Sequence, residues 1–304
     1  MARYNLRIKC GTYTGTGALQ NITDTGFRPQ LVLTKGGANI ACFRTRLMAA
    51  GQSAYFAGNT ANFAQGINGF LDNGFQVGTD AKANANGTVY HYLAIWGAEN
   101  QNYFRTFKYK GNGSDARQLG AQGIFFTPDL FFTKGDTAQN PCIRTVDVTG
   151  DNSWHPSGTA DTTNEIQNFI TNGVELGSSA RVNSNGLEYF GFALKSLVGV
   201  IKTFTFTGDS VDDRNIIGQG FQPDFSLVKN GILTTAAVMK TSTMTANQAV
   251  SVGSSSPTTD LIQAFGSDGI QVGANTSVNA SGNTIWGFSL KGGNYSVPIV
   301  RSAS

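Results

Sequence analysis

Few side chains in this sequence are suited to binding a metal ion or reacting with a substrate. His91 and His155 are the only histidines among 304 residues, and Cys10, Cys42 and Cys142 lie far apart with no Cys-x-x-Cys pair. Metal sites and disulfide frameworks usually show as short, regular spacings of such residues. We therefore expect three reduced thiols, no metal site and no cofactor.

The loop around Trp154 is the best candidate for binding a ligand. It places Asp151, Asn152, Trp154 and His155 in a polar segment, 150–164, that is longer than its counterparts elsewhere in the chain. An exposed tryptophan can stack on a sugar ring while polar neighbours bind the hydroxyl groups. The preferred interpretation is that Trp154 folds back over a sheet edge, and a glycan site is the alternative.

The acidic residues form no catalytic pattern. Asp209, Asp212 and Asp213 crowd one turn, but they lack the ordered ligand spacing of a calcium loop. Gly-x-Ser-x-Gly and phosphate-loop patterns are absent. We expect a protein with no catalytic residues and no enzymatic activity, although a carboxylate pair for glycoside hydrolysis stays open because its separation is spatial.

The composition favours strands over helices. Gly, Thr, Asn and Ser are abundant, while 13% of the residues are charged and 11% are aromatic, which suits short strands joined by tight turns. The net charge of +3 includes no Lys/Arg run, and no stretch approaches the ~18 apolar residues of a membrane span. We expect an all-β protein that binds neither nucleic acid nor membrane. Because the N-terminal segment lacks the apolar core of a signal peptide, folding in a cytoplasm is expected.

Five sequence blocks recur three times in one order, about a hundred residues apart. The most distinctive is an apolar strand after a proline, at 27–35, 126–134 and 221–229. The others are an aromatic strand ending in glycine (13–15, 109–111, 206–208), a short strand with a cation (42–45, 142–145, 238–241), a hairpin turn (72–78, 171–177, 267–273) and an Asn-x-x-Gly turn (84–87, 183–186, 279–282). Asn-Gly and Asp-Gly favour the turns that join antiparallel strands.

These repeats predict three tandem all-β domains, each a β-sandwich or jelly-roll-like unit. The predicted boundaries are 1–98, 99–196 and 197–293, followed by a C-terminal tail at 294–304. Since the junctions at 97–103 and 196–201 contain no flexible spacer, the domains should pack closely. A pseudo-threefold ring and a short stack both satisfy that expectation. Helix is expected mainly near 164–169.

The last strand of each repeat alternates in a way that predicts one buried face. The residues assigned to that face are His91, Leu93 and Ile95, then Phe190, Phe192 and Leu194, and finally Trp286, Phe288 and Leu290. His91 is accordingly expected to be a packed structural residue.

Two repeated cation positions are also interpreted as structural. The first set is Lys35, Lys134 and Lys229, whose stems should cover the rim of the core while the ammonium groups reach solvent or a carboxylate. The second set is Arg44, Arg144 and Lys240. Cys42 and Cys142 correspond to Val238, so their position does not require sulfur chemistry.

The repeated blocks resemble a β-sandwich repeat found in virion structural proteins of tailed bacteriophages, often tail or fibre proteins. The similarity is clearest at Gly26-Phe27-x-Pro29, at Gly220-Phe221-Gln222-Pro223-Asp224 and at Asp268-Gly269-Ile270-Gln271-Val272-Gly273. The segment 44–62 departs from the family pattern, where a more acidic stretch containing Arg-Gly is usual. No particular site is therefore transferred from the family.

The resemblance implies a non-enzymatic component of a tailed-bacteriophage virion. The absence of a fibre shaft favours an accessory protein on the capsid or tail surface, located in the virion and assembled in the host cytoplasm. Its partners would be other virion proteins in a homo- or hetero-oligomeric assembly. The alternative is a lectin-like module, a tail-fibre adhesin that binds a host surface glycan or receptor, and a polysaccharide depolymerase is a third class.

The C-terminal tail is a candidate docking segment. Its apolar residues are Tyr295, Val297, Ile299 and Val300. We expect them to dock on a neighbouring subunit by strand addition or by packing in a groove.

Overall fold

The computed structural model describes residues 5–120 and 123–298, in which one series of elements occurs three times. Copy 1 contains β1 (Leu6–Thr14), β2 (Gln20–Ile22), β3 (Leu31–Gly36), β4 (Cys42–Thr45), β5 (Gln52–Tyr55), β6 (Phe63–Ala64), β7 (Ile67–Leu71), β8 (Gly74–Val77), α1 (Ala81–Asn84) and β9 (Val89–Gly97). Copy 2 contains β10 (Phe104–Lys110), β11 (Arg117–Leu119), β12 (Leu130–Gly135), β13 (Cys142–Thr145), β14 (Asn152–Ser153), β15 (Thr162–Thr163), β16 (Ile166–Ile170), β17 (Gly173–Leu176), α2 (Ala180–Asn183) and β18 (Glu188–Leu194). Copy 3 contains β19 (Ile201–Thr207), β20 (Arg214–Ile217), β21 (Phe225–Asn230), β22 (Val238–Thr241), β23 (Val250–Ser251), β24 (Ile262–Gly266), β25 (Gly269–Val272), α3 (Thr276–Asn279) and β26 (Thr284–Leu290), followed by β27 (Gly293–Tyr295).

Each copy has a large and a small antiparallel sheet, which confirms the all-β fold class. The large sheets have the orders β1-β9-β3-β4-β5, β10-β18-β12-β13 and β19-β26-β21-β22-β23, and the small sheets are β2-β8-β7, β11-β17-β16 and β20-β25-β24. In copy 1, Tyr13 and Val32 of the large sheet meet Ile22 and Phe75 of the small sheet in one buried cluster. Each copy is therefore a small sandwich, while the domain boundaries stay a prediction.

A second, larger core is shared by all three copies. It contains Leu33 from copy 1, Phe132 from copy 2 and Leu227 from copy 3. Phe132 stacks on Phe56 of copy 1 at 4.9 Å and meets Phe43 edge-on at 5.0 Å. This central core lies on the face of each large sheet that its own small sheet leaves uncovered.

Main-chain hydrogen bonds join copy 3 to both of its neighbours. Ala41 N donates to Val252 O of copy 3 at 2.9 Å. Ala237 N of copy 3 donates to Pro156 O of copy 2 at 2.8 Å. Since copies 1 and 2 meet through Phe132, every copy touches the other two. The arrangement is a closed ring and not a linear stack.

The prediction of a single buried face on the last strands was wrong. Leu93 and Ile95 do lie in the central core, but Tyr92 and Ala94 on the opposite face are equally buried, in the core of copy 1. The large sheet lies between two cores, which an alternation of apolar and small residues does not reveal.

The C-terminal tail docks on its own chain. Strand β27 pairs with β1 in the register Leu6↔Tyr295 and Ile8↔Gly293, and Val297 is buried with its main chain bonded to the Asn5 side chain at 2.6 and 2.7 Å. The expectation that this tail reaches a neighbouring subunit is therefore wrong for these residues. An unpaired β1 edge would expose main-chain donors and acceptors, and β27 covers them.

Ile299 and Val300, the other two predicted docking residues, lie outside the described residues.

The predicted helix at 164–169 is a strand. Ile166–Ile170 pairs with β17, and a bulge between Ile166 and Asn168 shifts the side-chain alternation. The bulge places Ile166, Phe169 and Ile170 at spacings that resemble a helix. Short helices instead follow each small-sheet hairpin, and among the described residues none is long and apolar enough to cross a membrane.

Candidate functional site

The proposed glycan platform at Trp154 is not on the surface. Trp154 is 0% exposed and lies in the central core, where its main chain pairs with Ile143. His155 is buried as well, while Asp151 and Asn152 are partly exposed beside it. Pairing with β13 turns the Trp154 ring inward, in line with the preferred interpretation of a ring folded back on the sheet, and the alternative of an exposed ring that stacks on sugar is wrong.

A buried polar cluster surrounds His155 instead. His155 Nδ1 lies 2.9 Å from Pro141 O, and its Nε2 lies 2.8 Å from Thr162 Oγ1 and 3.2 Å from Glu165 Oε2. Arg181 Nη1 donates to Glu165 Oε1 at 2.8 Å. Cys142 lies directly opposite His155 in the strand pairing that links Ile143 to Trp154. We call Cys142, His155, Thr162, Glu165 and Arg181 the copy 2 cluster.

Separate elements bring these side chains together. Cys142 begins β13, Thr162 begins β15 and Arg181 lies in α2, while Glu165 immediately precedes β16. Ser153 holds the segments of His155 and Glu165 together, because its hydroxyl accepts from Ile166 N at 3.0 Å and donates to Ile166 O at 3.1 Å.

The ionisable groups of the copy 2 cluster are shifted by burial and by one another. Burial raises the pKa of the Glu165 carboxyl, but hydrogen bonding and charge from His155, with Arg181 behind it, outweigh burial and hold the pKa below its ordinary value. Burial, reinforced by Glu165, raises the pKa of the Cys142 thiol well above its usual range. The side chain of Arg181 is 28% exposed, so it links the cluster to solvent.

Three of these residues form a group that could hold a metal ion. Cys142, His155 and Glu165 each offer one ligand atom, and the three atoms lie within 4.8 Å of one another. This group has no recognisable spacing in the sequence, because its members are 13 and 10 residues apart and lie on different elements. The one available signal was that copy 2 alone has histidine and glutamate at these repeat positions.

Copy 1 fills the same positions with aromatic packing. Its equivalents of Cys142, His155, Thr162, Glu165 and Arg181 are Cys42, Tyr55, Phe63, Gly66 and Lys82, as the matching strand pairs show. The Lys82 ammonium lies 5.5 Å from the Tyr55 ring centre and 5.1 Å from that of Phe63. A Cβ on Gly66 would come within 2.7 Å of the Phe63 ring, so glycine leaves the space that the ring occupies.

Copy 3 leaves the same position open. Its equivalents are Val238, Ser251, Thr258, Leu261 and Ser277, and all five line a cavity of about 370 Å³. Short side chains, many of them hydroxyl-bearing, do not fill the space that an aromatic group or an ion pair fills in the other copies.

The repeated lysines do not reach solvent or carboxylates, which corrects the sequence expectation. Lys35 Nζ donates to Gly37 O at 2.7 Å and to Ser255 O of copy 3 at 2.8 Å. Lys134 and Lys229 bind main-chain carbonyls of their own copies in the same way. Burial lowers the pKa of each of the three to about 8.

The second set of cations also binds main-chain carbonyls. Arg44 donates to Ala49 O at 2.8 Å, Arg144 to Gly150 O at 2.8 Å, and Lys240 to Thr245 O at 3.2 Å. Each cation therefore stabilises the loop that follows its strand.

His91 lies at the contact between copies 1 and 3 and not in a core. Its Nδ1 lies 2.9 Å from Thr243 Oγ1 of copy 3. Burial, with a smaller contribution from Lys240, lowers the pKa of His91 to about 4. A cavity of about 520 Å³, lined by Lys9 and Asp224 among others, opens between the same two copies.

No protein-family model matches this chain, and neither a curated protein nor a solved structure is similar to it at a significant level.

Proposed function

We propose that this chain is a non-enzymatic structural component of a tailed-bacteriophage virion, an accessory protein on the capsid or tail surface. The resemblance of its repeated turn and strand blocks to virion β-sandwich repeats points to that setting. Its partners are other virion proteins.

The closed ring of copies is the observation that carries this proposal. Strand β27 on β1 and the shared central core join three similar units into one body. Each unit presents an equivalent exposed hairpin turn, with Asp72, Thr171 and Ser267 at the three tips. A body with three similar outer surfaces suits attachment to a symmetric particle, since symmetric assemblies repeat one contact.

The repeated charged positions support a structural role. The ammonium groups of Lys35, Lys134 and Lys229 donate hydrogen bonds to main-chain carbonyls. Because these side chains are buried, they are not accessible to a substrate. The titratable groups of the copy 2 cluster are enclosed too, apart from the partly exposed Arg181.

A glycan- or receptor-binding module is the second candidate. The copy 3 cavity supports it, because hydroxyl groups such as Ser251 and Thr258 line a space large enough for a small polar ligand. A glycan array would test this candidate: saturable binding that Ser251→Trp abolishes, in a variant with unchanged thermal stability, would favour it over the structural role.

The main test is incorporation into particles. Virions are produced with the parent chain or with Asp72→Arg, Thr171→Arg and Ser267→Arg combined, and copy number is measured by mass spectrometry and cryo-electron microscopy. We expect a fixed copy number for the parent and a loss of at least tenfold for the triple variant. Val198→Arg is the matched control, because Val198 is 99% exposed in the junction between copies 2 and 3. A parent chain that belongs to no purified particle would refute the proposal.

A further inference from the structure

We infer that Cys142, His155 and Glu165 form a structural binding site for a transition metal ion of the zinc class in copy 2. This inference is independent of the virion proposal. It rests on the donor set, the geometry and the surroundings of the copy 2 cluster.

The donor set selects the kind of metal. A thiolate, an imidazole and a carboxylate are the protein ligands of Zn²⁺, whereas Mg²⁺ and Ca²⁺ prefer oxygen ligands alone. One thiolate and one carboxylate also neutralise a divalent cation, so the buried site would carry no excess charge from its ligands.

The distances fit a single small ion. His155 Nε2 and Glu165 Oε2 are 3.2 Å apart, and two ligands at tetrahedral zinc are about 3.3 Å apart when each bond is about 2.0 Å. The Cys142 ligand atom lies within 4.8 Å of the other two. Thr162 Oγ1, at 2.8 Å from His155 Nε2, is a neighbouring oxygen for a fourth position.

The surrounding hydrogen bonds orient two of the ligands. Because His155 Nδ1 donates to Pro141 O at 2.9 Å, Nε2 is the ring nitrogen that faces the cluster. Arg181 occupies Glu165 Oε1 at 2.8 Å and leaves Oε2 for the ion. Such outer partners normally accompany metal ligands in proteins.

The Glu165 carboxylate is out of contact with water. Glu165 is fully buried, and its Oε2 faces His155 Nε2 at 3.2 Å. A buried carboxylate oxygen is costly unless a donor or a cation lies against it, and a bound metal ion would take that place.

Binding would displace the protons on the ligand atoms. The Cys142 thiol loses its proton to solvent, and the Nε2 proton that the charged form of His155 directs at Glu165 leaves in the same way. The sulfur forms a bond to the metal, and neither the metal nor the sulfur changes oxidation state. Since all three ligands are 0% exposed, the ion would enter while the chain folds, and binding would stabilise the folded state.

The test is refolding with metal, with copy 1 as the internal control. The full chain is unfolded, treated with a chelator, and refolded with Co²⁺ or Zn²⁺. We expect one bound ion per chain by native mass spectrometry, thiolate-to-cobalt charge-transfer absorption with Co²⁺, and a raised melting temperature with Zn²⁺.

Two single variants separate this site from adventitious binding. Cys142→Val installs the residue of copy 3 and is expected to weaken binding by roughly a hundredfold or more, since loss of a ligand exceeds loss of an outer partner. Cys42→Val, at the equivalent position with Tyr55 and Gly66 as neighbours, should leave binding unchanged. The inference is overturned if the parent refolds without a bound ion or if both variants lose the ion equally. Should Cys142→Val fail to fold, the absence of a thiolate-to-cobalt band in the parent would overturn it as well.

Discussion

Copies 1 and 2 surround a buried cysteine with different side chains at equivalent positions. In copy 1 the space beside Cys42 holds the rings of Tyr55 and Phe63 with the Lys82 ammonium over them. In copy 2 the space beside Cys142 holds an imidazole, a carboxylate and a guanidinium group in hydrogen-bonding contact.

The difference shows that the fold does not require polar groups at this position. An aromatic pair with a cation fills it in copy 1, and short residues leave a cavity there in copy 3. Buried ion pairs add little net stability over apolar packing, because the desolvation of the charges offsets their attraction. A polar cluster confined to one copy of three is therefore best explained by a specific task, and metal binding is the task we infer.

The largest expected effect comes from breaking the copy 2 cluster. Glu165→Ala removes the partner of Arg181 and His155 and should lower the free energy of unfolding by about 3–5 kcal/mol. Urea unfolding in the presence of a chelator measures this effect without a contribution from metal. A loss below about 1 kcal/mol would show that the ionic contacts do not hold copy 2 together.

Installing the copy 1 residues in copy 2 should show that the effects of the individual substitutions on stability are strongly coupled. His155→Tyr, Thr162→Phe, Glu165→Gly and Arg181→Lys together install the copy 1 residues in copy 2. The combined loss of stability should be smaller than the sum of the four single losses by about 1–3 kcal/mol, since residues in contact act as one unit. Unfolding free energies of the four single variants and the combined variant provide the comparison. Additivity within about 0.5 kcal/mol would contradict the equivalence of the two positions.

Copy 1 should lose less stability than copy 2 when the charged group at this position is removed. Lys82→Met keeps much of the apolar stem and removes the ammonium from the Tyr55 and Phe63 rings. We expect a loss of about 1 kcal/mol, typical of a partly exposed cation–π contact. The same urea titration measures it, and a loss as large as that of Glu165→Ala would remove the contrast between the copies.

The smallest effect concerns a position next to the cluster. Asp161 accepts from Trp286 Nε1 at 2.7 Å, and burial, opposed by that hydrogen bond, raises its pKa from 3.8 to about 6. Between about pH 4 and 6 the folded protein keeps a proton that the unfolded chain has released. The contribution of Asp161 to stability therefore falls as the pH rises through that window.

Asp161→Asn installs the equivalent residue of copy 1, Asn62, and still offers an oxygen to Trp286. The stability of the variant relative to the parent should rise between pH 4 and 6 and level off above that range, by about 1 kcal/mol or less after solvent screening. Thermal unfolding of both proteins across this range measures the difference, which includes the interaction of Asp161 with the nearby charges of Lys229, His155 and Glu165. A difference independent of pH would contradict the raised pKa.

Much of the local fold could be predicted from residues close together in the chain. The Asn-Gly and Asp-Gly turns before Phe75, Val174 and Ile270 mark hairpins that the structure confirms. The helix expected near 164–169 failed for a local reason, because the bulge after Ile166 gives a strand the apolar spacing of a helix.

The candidate site could not be predicted in this way. The sequence shows no short spacing among Cys142, His155 and Glu165. These residues meet because β13, the paired strands β14 and β15, and β16 lie together in the fold. The burial of Trp154 has the same origin, since the surface that covers it includes residues of other copies.

The sequence by itself determined the strand-rich fold, the threefold repetition and the positions of the turns, because turn formation and side-chain alternation depend on adjacent residues. Only the tertiary structure decided which strand covers β1, that both faces of each large sheet are buried, and which charged groups meet out of contact with water. The pairing of β27 with β1, for example, brings Asn5 against Val297, residues 292 positions apart. Contacts over such separations leave no local periodicity in the sequence.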